Sequence, residues 1–164
     1  MSDGLLIPGN SKTGPGIWLF NLPREETCVG ASALCKEHCY AKRFRRFSTV
    51  DPAHQARLAV CRQSDFAEQL IQEIRERHCK VVRIHVSGDF FSAKYVRQWI
   101  RICRATPDVQ YYAYTRSWRL SKILPALNAL RALVNVQLWW SADRETGQPP
   151  EGRIAFIAVD DNDL

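Results

Sequence analysis

Nowhere in the 164 residues is there a run of eighteen or more apolar residues, and Met1-Ser2-Asp3-Gly4 begins no basic-then-apolar leader. The first absence argues against a transmembrane helix and the second against export, so the expectation is a soluble, cytoplasmic protein with no membrane partner. Internal repeats and low-complexity segments are also missing, which excludes solenoids and linker-like tracts. In a reducing compartment the six cysteines do not favour disulfides. Clustered cysteines then read as metal ligands or reactive thiols, and isolated ones as core. What is present is an ordinary globular composition, 46% apolar and 24% charged, at a length that suits a single domain over 1–164. The net charge of +6 favours polyanionic partners. Much of it comes from Lys42-Arg43-Phe44-Arg45-Arg46-Phe47. This run reads either as a solvated basic loop or as a contact for nucleic acid or an anionic cofactor through Lys42, Arg43, Arg45 and Arg46, with Phe44 and Phe47 stacking on bases.

From Val81 onward short β-rich runs alternate with helical patterns, the signature of βαβ units and a parallel sheet. Val81 to Val86 is β-branched and ends at Ser87-Gly88-Asp89. Ser92 is placed to cap a helix whose apolar positions Tyr95, Val96, Trp99, Ile100 and Cys103 recur at helical spacing. Val109 to Tyr114 reads as the next strand, followed by Thr115-Arg116-Ser117 and a helix marked by Ile123, Leu124, Leu127, Leu130 and Leu133. Asn135 to Trp140, ending at Ser141-Ala142-Asp143, and Arg153 to Val159 complete the array. Upstream, Gly16 to Leu22 is a first strand stopped by Pro23, and a helix spans about Ser64 to Arg77. Right-handed crossovers place the C-terminal ends of parallel strands on one edge, where α/β ligand sites form. The cysteine loop and the three strand-end motifs are therefore expected to converge.

Cys28, Cys35 and Cys39 have six and then three residues between them. Three thiolates on one loop can hold three irons of a [4Fe–4S] cubane and leave the fourth open, whereas structural zinc normally takes four protein ligands. His38 offers itself as that fourth, so zinc and unmetallated thiols stay alongside the cluster as readings. Basic neighbours Lys36, Lys42 and Arg43 would stabilise thiolates in each case. Cys103 reads as core, Cys61 and Cys79 as isolated structural residues, and His85 as a structural histidine. After the strands, Gly88 permits close backbone approach, Asp89 can accept from an ammonium or ribose group, Arg116 can fork to a carboxylate or phosphate, and Asp143 can bind ribose hydroxyls.

Asn10-Ser11-Lys12-Thr13-Gly14, Phe20-Asn21-Leu22-Pro23, Thr27-Cys28-Val29-Gly30, Cys39-Tyr40-Ala41, Arg83 to Phe90 and Tyr114-Thr115-Arg116-Ser117-Trp118 together resemble the phage and prophage family called gene product 88. That would make the location the host cytoplasm. The layout also resembles the radical S-adenosylmethionine superfamily, whose three cluster cysteines follow the first strand of a partial (β/α) barrel. This resemblance implies a fold of about five mostly parallel strands with helices on the outer face. It implies Cys28, Cys35 and Cys39 as ligands of a [4Fe–4S] cluster whose open iron binds S-adenosylmethionine. Tyr40 would pack on the cofactor and Ser87, Gly88 and Asp89 would meet the methionine amine, while Arg116 and Ser141 would contact carboxylate and ribose. So short a barrel is either truncated or completed differently at its C-terminal end. Its wide opening suits a macromolecular substrate, nucleic acid or protein.

Overall fold

The computed structural model describes residues 4–46 and 48–160, with the side chains of 44–46 excepted. Alternating burial along the strands shows which side of the sheet is covered. In β3 (Val81–Ile84) and β4 (Gln110–Thr115), Val82, Ile84, Tyr111, Ala113 and Thr115 are buried, while Arg83, Tyr112 and Tyr114 point to the opposite side. The strand order is the order of the sequence. β1 (Ile7–Pro8) pairs antiparallel with β2 (Ile17–Phe20), and β2, β3, β4, β5 (Val136–Ala142) and β6 (Arg153–Phe156) are parallel neighbours.

Helices α4 (Phe66–Glu76), α5 (Ala93–Ala105) and α6 (Leu124–Arg131) make the crossovers. A sequential order with crossovers of one hand leaves them all on one face, α4 against α5 and α5 against α6. The core between sheet and helices is aromatic. Phe20 meets Trp99 edge-on at 5.3 Å, Phe66 stacks on Tyr95 at 5.9 Å, and Trp99 meets Tyr111 at 6.3 Å. Ser92 caps α5 by accepting from the Tyr95 amide at 3.2 Å, and the predicted apolar stripe of that helix is buried.

Several expectations change. The sheet has six strands rather than about five, because the two-residue β1 is too short to leave a periodic signal. It is open: β1 and β6 are its edges and do not pair with each other. β3 stops at Ile84 rather than Val86, since His85 adopts φ +66°, a left-handed conformation that turns the chain out of the ladder. The supposed cysteine loop is largely helical, with α1 (Arg24–Thr27), α2 (Ala33–Glu37) and a 3-10 segment (Tyr40–Arg46), followed by α3 (Val50–Cys61). α3 left no apolar stripe because two of its four buried positions are His54 and Arg57.

Candidate functional site at the strand C-termini

A cavity of about 360 Å³ opens where the C-terminal ends of β3, β4 and β5 face the cysteine segment. Cys28, Cys35 and Cys39 line it together with Tyr40. So do Ser87, Gly88 and Asp89 after β3, Arg116 after β4, Ser141 at the end of β5 and Asp143 just beyond it. The convergence expected from crossover handedness is thus present in the geometry.

The three cysteines sit on different local frames. Cys28 closes α1, Cys35 lies in α2 with its amide donating to Ser32 Oγ at 3.0 Å, and Cys39 lies between α2 and the 3-10 segment. Burial pushes the Cys28 thiol above the usual range, and the charges of Asp89, Cys35 and Cys39 push the same way. Burial also raises Cys35, with Arg116 pulling against it. The thiols are therefore close enough to act on one another. Among the described residues, however, no group of three or more His, Cys, Asp or Glu side chains is gathered closely enough to hold a metal ion. In kind the donors suit a thiophilic metal, three sulfurs with the His38 imidazole lining the same cavity. A bound cation would also oppose the burial that raises the Cys28 and Cys35 thiols.

The strand-end motifs hold this segment in place. Asp89 Oδ1 accepts from Thr115 Oγ1 at 2.6 Å and the Phe90 amide at 2.7 Å, and Oδ2 accepts from the Arg116 amide at 2.9 Å. Burial outweighs these bonds and raises the carboxyl to about 6. Ser87 Oγ donates to the Leu22 carbonyl at 3.0 Å, the Leu22 amide donates to the Ser87 carbonyl at 2.9 Å, and the Asp89 amide donates to Thr27 Oγ1 at 3.2 Å. Gly88, at φ +86°, has no room for a side chain: a Cβ there would lie 2.7 Å from Leu22 Cβ and from Thr27 Oγ1. The Ser87-Gly88-Asp89 turn therefore grips the chain just ahead of Cys28.

On the other side of the cysteines, Arg116 Nη1 forms a buried ion pair with Asp143 Oδ2 and donates to Ser32 Oγ at 3.2 Å. Ser32 Oγ in turn donates to Asp143 Oδ2 at 2.6 Å, so the residue that caps α2 is tied to β4 and β5 at once. Burial opposes ionisation of Asp143, but hydrogen bonds from Ser32, the Glu145 amide and Arg116 hold its carboxyl below the usual range. Arg116 and Asp143, expected as free ligand contacts, thus engage each other. Arg116 Nη2 remains buried without a partner, a donor at the cavity for an anionic group.

Tyr40 donates its hydroxyl to the Val86 carbonyl and leaves its ring 50% exposed at the cavity. The Ser141 carbonyl accepts from Trp118 Nε1 at 2.9 Å. His85 is buried, in line with its reading as a structural histidine, though it also borders the cavity: Nε2 pairs with the Tyr95 hydroxyl at 2.8 Å, Nδ1 has no partner, and burial lowers its pKa to about 3. In the basic run Lys42 and Arg43 are exposed and Lys42 Nζ donates to the Glu37 carbonyl at 2.6 Å. The side chains of Phe44, Arg45 and Arg46, and all of Phe47, lie outside the described residues.

The polar residues that fasten the cysteine segment are Asn21, Thr27, Ser32 and Glu145, of which sequence reasoning marks Asn21 and Thr27 only as members of family-like motifs, with no role, and Ser32 and Glu145 not at all. Asn21 Oδ1 accepts from the Val86 amide at 2.9 Å, and Glu145 Oε2 accepts from the Leu34 amide at 2.9 Å. Only Ser32 carried a usable signal, as a serine placed to cap a helix. Gly30, quoted above only as a motif residue, has a packing role. A Cβ there would stand 2.2 Å from the Arg116 carbonyl oxygen, so the cysteine segment's backbone lies directly on the end of β4.

A family model described as Gene product 88 matches residues 5–163. The Gene 88 proteins of Mycobacterium phages L5 and D29 are each 32% identical over 129 residues, which cover 71% of this chain and 52% of theirs. The chain therefore spans about half the length of these curated relatives. No solved structure matches. With a family model covering nearly the whole chain and phage relatives agreeing, the protein belongs to the gene product 88 family.

Proposed function

We propose that Cys28, Cys35 and Cys39 hold a [4Fe–4S] cluster which binds S-adenosylmethionine, and that the protein is a radical S-adenosylmethionine-type enzyme acting on a macromolecule. The observation that carries this reading is that the three thiols, spread over twelve residues of chain and three local frames, line one cavity with Ser87, Gly88, Asp89, Arg116 and Ser141. When bound, such a cluster supplies the electron for reductive cleavage of the sulfonium.

The chain's own residues have distinct parts in this reading. Arg116, fixed by Asp143 and Ser32, offers Nη2 to the ligand carboxylate. Asp89 puts buried negative potential beside the position of an ammonium group. Tyr40 shields one side of the cavity with its half-exposed ring. The order β2 to β6, parallel and sequential with α4, α5 and α6 as crossovers, supports this reading by bringing the strand C-termini to the cysteine segment.

Anaerobic reconstitution should give about four irons and four sulfides per chain, and Cys35→Ala should lose them. Under reduction, the loaded protein should release 5′-deoxyadenosine from S-adenosylmethionine. Iron binding without that product would leave an iron–sulfur protein but remove the enzyme. Stoichiometric zinc, or no metal, would remove both.

A further inference from the structure

The face of the sheet opposite α4, α5 and α6 carries a grid that extends beyond the cavity. Register places Arg83, Tyr112 and Gln137 side by side in one row, and Tyr114, Trp139 and Arg153 in the next. The Tyr114 and Trp139 rings stack at 6.1 Å with 27° between planes, and Tyr112 meets Tyr114 edge-on at 6.4 Å. The Arg83 guanidinium lies 5.8 Å from the Tyr112 centroid and 5.6 Å from that of Tyr114. Tyr114 is 39% exposed, and Gln137 and Arg153 are also exposed. An uncovered sheet face is ordinarily polar. Here one exposed ring, Tyr114, and two half-buried ones, Tyr112 and Trp139, stand among two arginines and two exposed neutral amides, Gln110 and Gln137. No acidic side chain stands on this face of β2 to β6.

We infer that this face binds single-stranded nucleic acid, with bases stacking on Tyr114, Trp139 and Tyr112 and the strand's phosphates drawn to Arg83 and Arg153. Stacking platforms of this kind take any base because every base has a π-face, and arginine beside them neutralises the backbone. A duplex hides those faces, so the chemistry selects single strands. The complementarity of charge is local, from the two arginines, and general, from the net +6. Arg83 and Tyr114 line the cavity as well as the grid, so a strand lying on this face runs to the cavity's edge. The inference names a macromolecular class for the proposed function but rests on the sheet face alone and does not require the cluster. It is also a different surface from the run Lys42 to Arg46.

Fluorescence anisotropy of labelled oligothymidylate and oligouridylate, about a dozen nucleotides long, tests it on the full chain, with a duplex of matched length as control. Trp139→Ala and Tyr114→Ala should each weaken single-strand binding roughly 5- to 150-fold, the range for loss of one stacked base. Tyr114→Phe, which keeps the ring, should bind within about 2-fold of the parent on the same stacking argument. Circular dichroism confirms that each variant is folded. Arg83→Gln should weaken binding and lower its salt dependence. Equal affinity for the duplex, no measurable binding of either strand, or binding lost only on neutralising Lys42 and Arg43 would each overturn the inference. Iron content is measured separately on the same samples, so failure of the cluster reading and failure of this one are told apart.

Discussion

On one side of β4, Tyr111 and Ala113 are 1% and 0% exposed beneath the helices, while on the other side of the same strand Tyr114 is 39% exposed. Both sides carry aromatic rings, yet they serve different ends. Tyr111 is locked by its hydroxyl bond with Thr106 at 2.6 Å and by Trp99 against its ring. The Tyr112, Tyr114 and Trp139 group instead packs ring against ring with Arg83 over two of its rings, half-buried to exposed on the other side. Hydrophobic burial explains the first arrangement, at about 1.5–3 kcal/mol per large side chain. It leaves the second unexplained, and that is why the uncovered face carries a functional inference.

The comparison breaks if the two faces respond alike to truncation. Trp99→Ala, which empties a fully buried site between α5 and the sheet, should cost about 3–5 kcal/mol in chemical denaturation. Trp139→Ala should cost about 1 kcal/mol or less, because its ring lies on the uncovered side. Similar losses at the two positions would mean that the open face is covered in the native protein.

The buried clamp sharpens the same contrast. Asp143→Ala strands the Arg116 guanidinium in a site where its side chain is 5% exposed and should destabilise by about 3–5 kcal/mol. Replacing both partners together, Arg116→Met with Asp143→Leu, should cost clearly less, because no charge is then left unpaired. A double variant as unstable as the single one would show that Ser32 and the α2 cap, rather than the ion pair, hold the segment.

A further difference is one of pH. Burial lowers the pKa of His85 to about 3, against roughly 6.5 in the unfolded chain. The native state therefore stays neutral while the unfolded state takes up a proton. This contribution is complete above about pH 6.5 and is lost as pH falls toward about 3. Asp89, raised to about 6, works in the opposite sense between roughly pH 4 and 6, since its native form holds a proton that the unfolded form has released. His85→Asn, a residue that tolerates the φ +66° conformation, should flatten the acid limb of stability against pH and leave the Asp89 part.

These regions also differ in how far the amino-acid pattern reveals them. The βα units from Val81 onward are written in apolar periodicity, and the stripe Tyr95, Val96, Trp99, Ile100 and Cys103 was readable because each member is buried. The meeting of the cysteines with three strand-end motifs followed from crossover handedness, which needs no side-chain detail. The fastening of the cysteine segment was not legible. It rests on polar pairs such as Ser32 with Asp143 and Asp89 with Thr27, 111 and 62 residues apart, and such pairs impose no period on the sequence. α1 and α2, at four and five residues, are too short for helical spacing to emerge. The uncovered aromatic face went unread for another reason. Tyr112, Tyr114 and Trp139 alternate as strand residues should, and only register shows that they adjoin.

Whether Cys28, Cys35 and Cys39 share one iron–sulfur cluster, as proposed, is read from the visible absorption spectrum of anaerobically purified protein. The protein should be brown, with a broad band near about 400 nm that disappears in Cys35→Ala. A colourless protein that contains stoichiometric zinc, or no metal after reconstitution, would contradict the proposal.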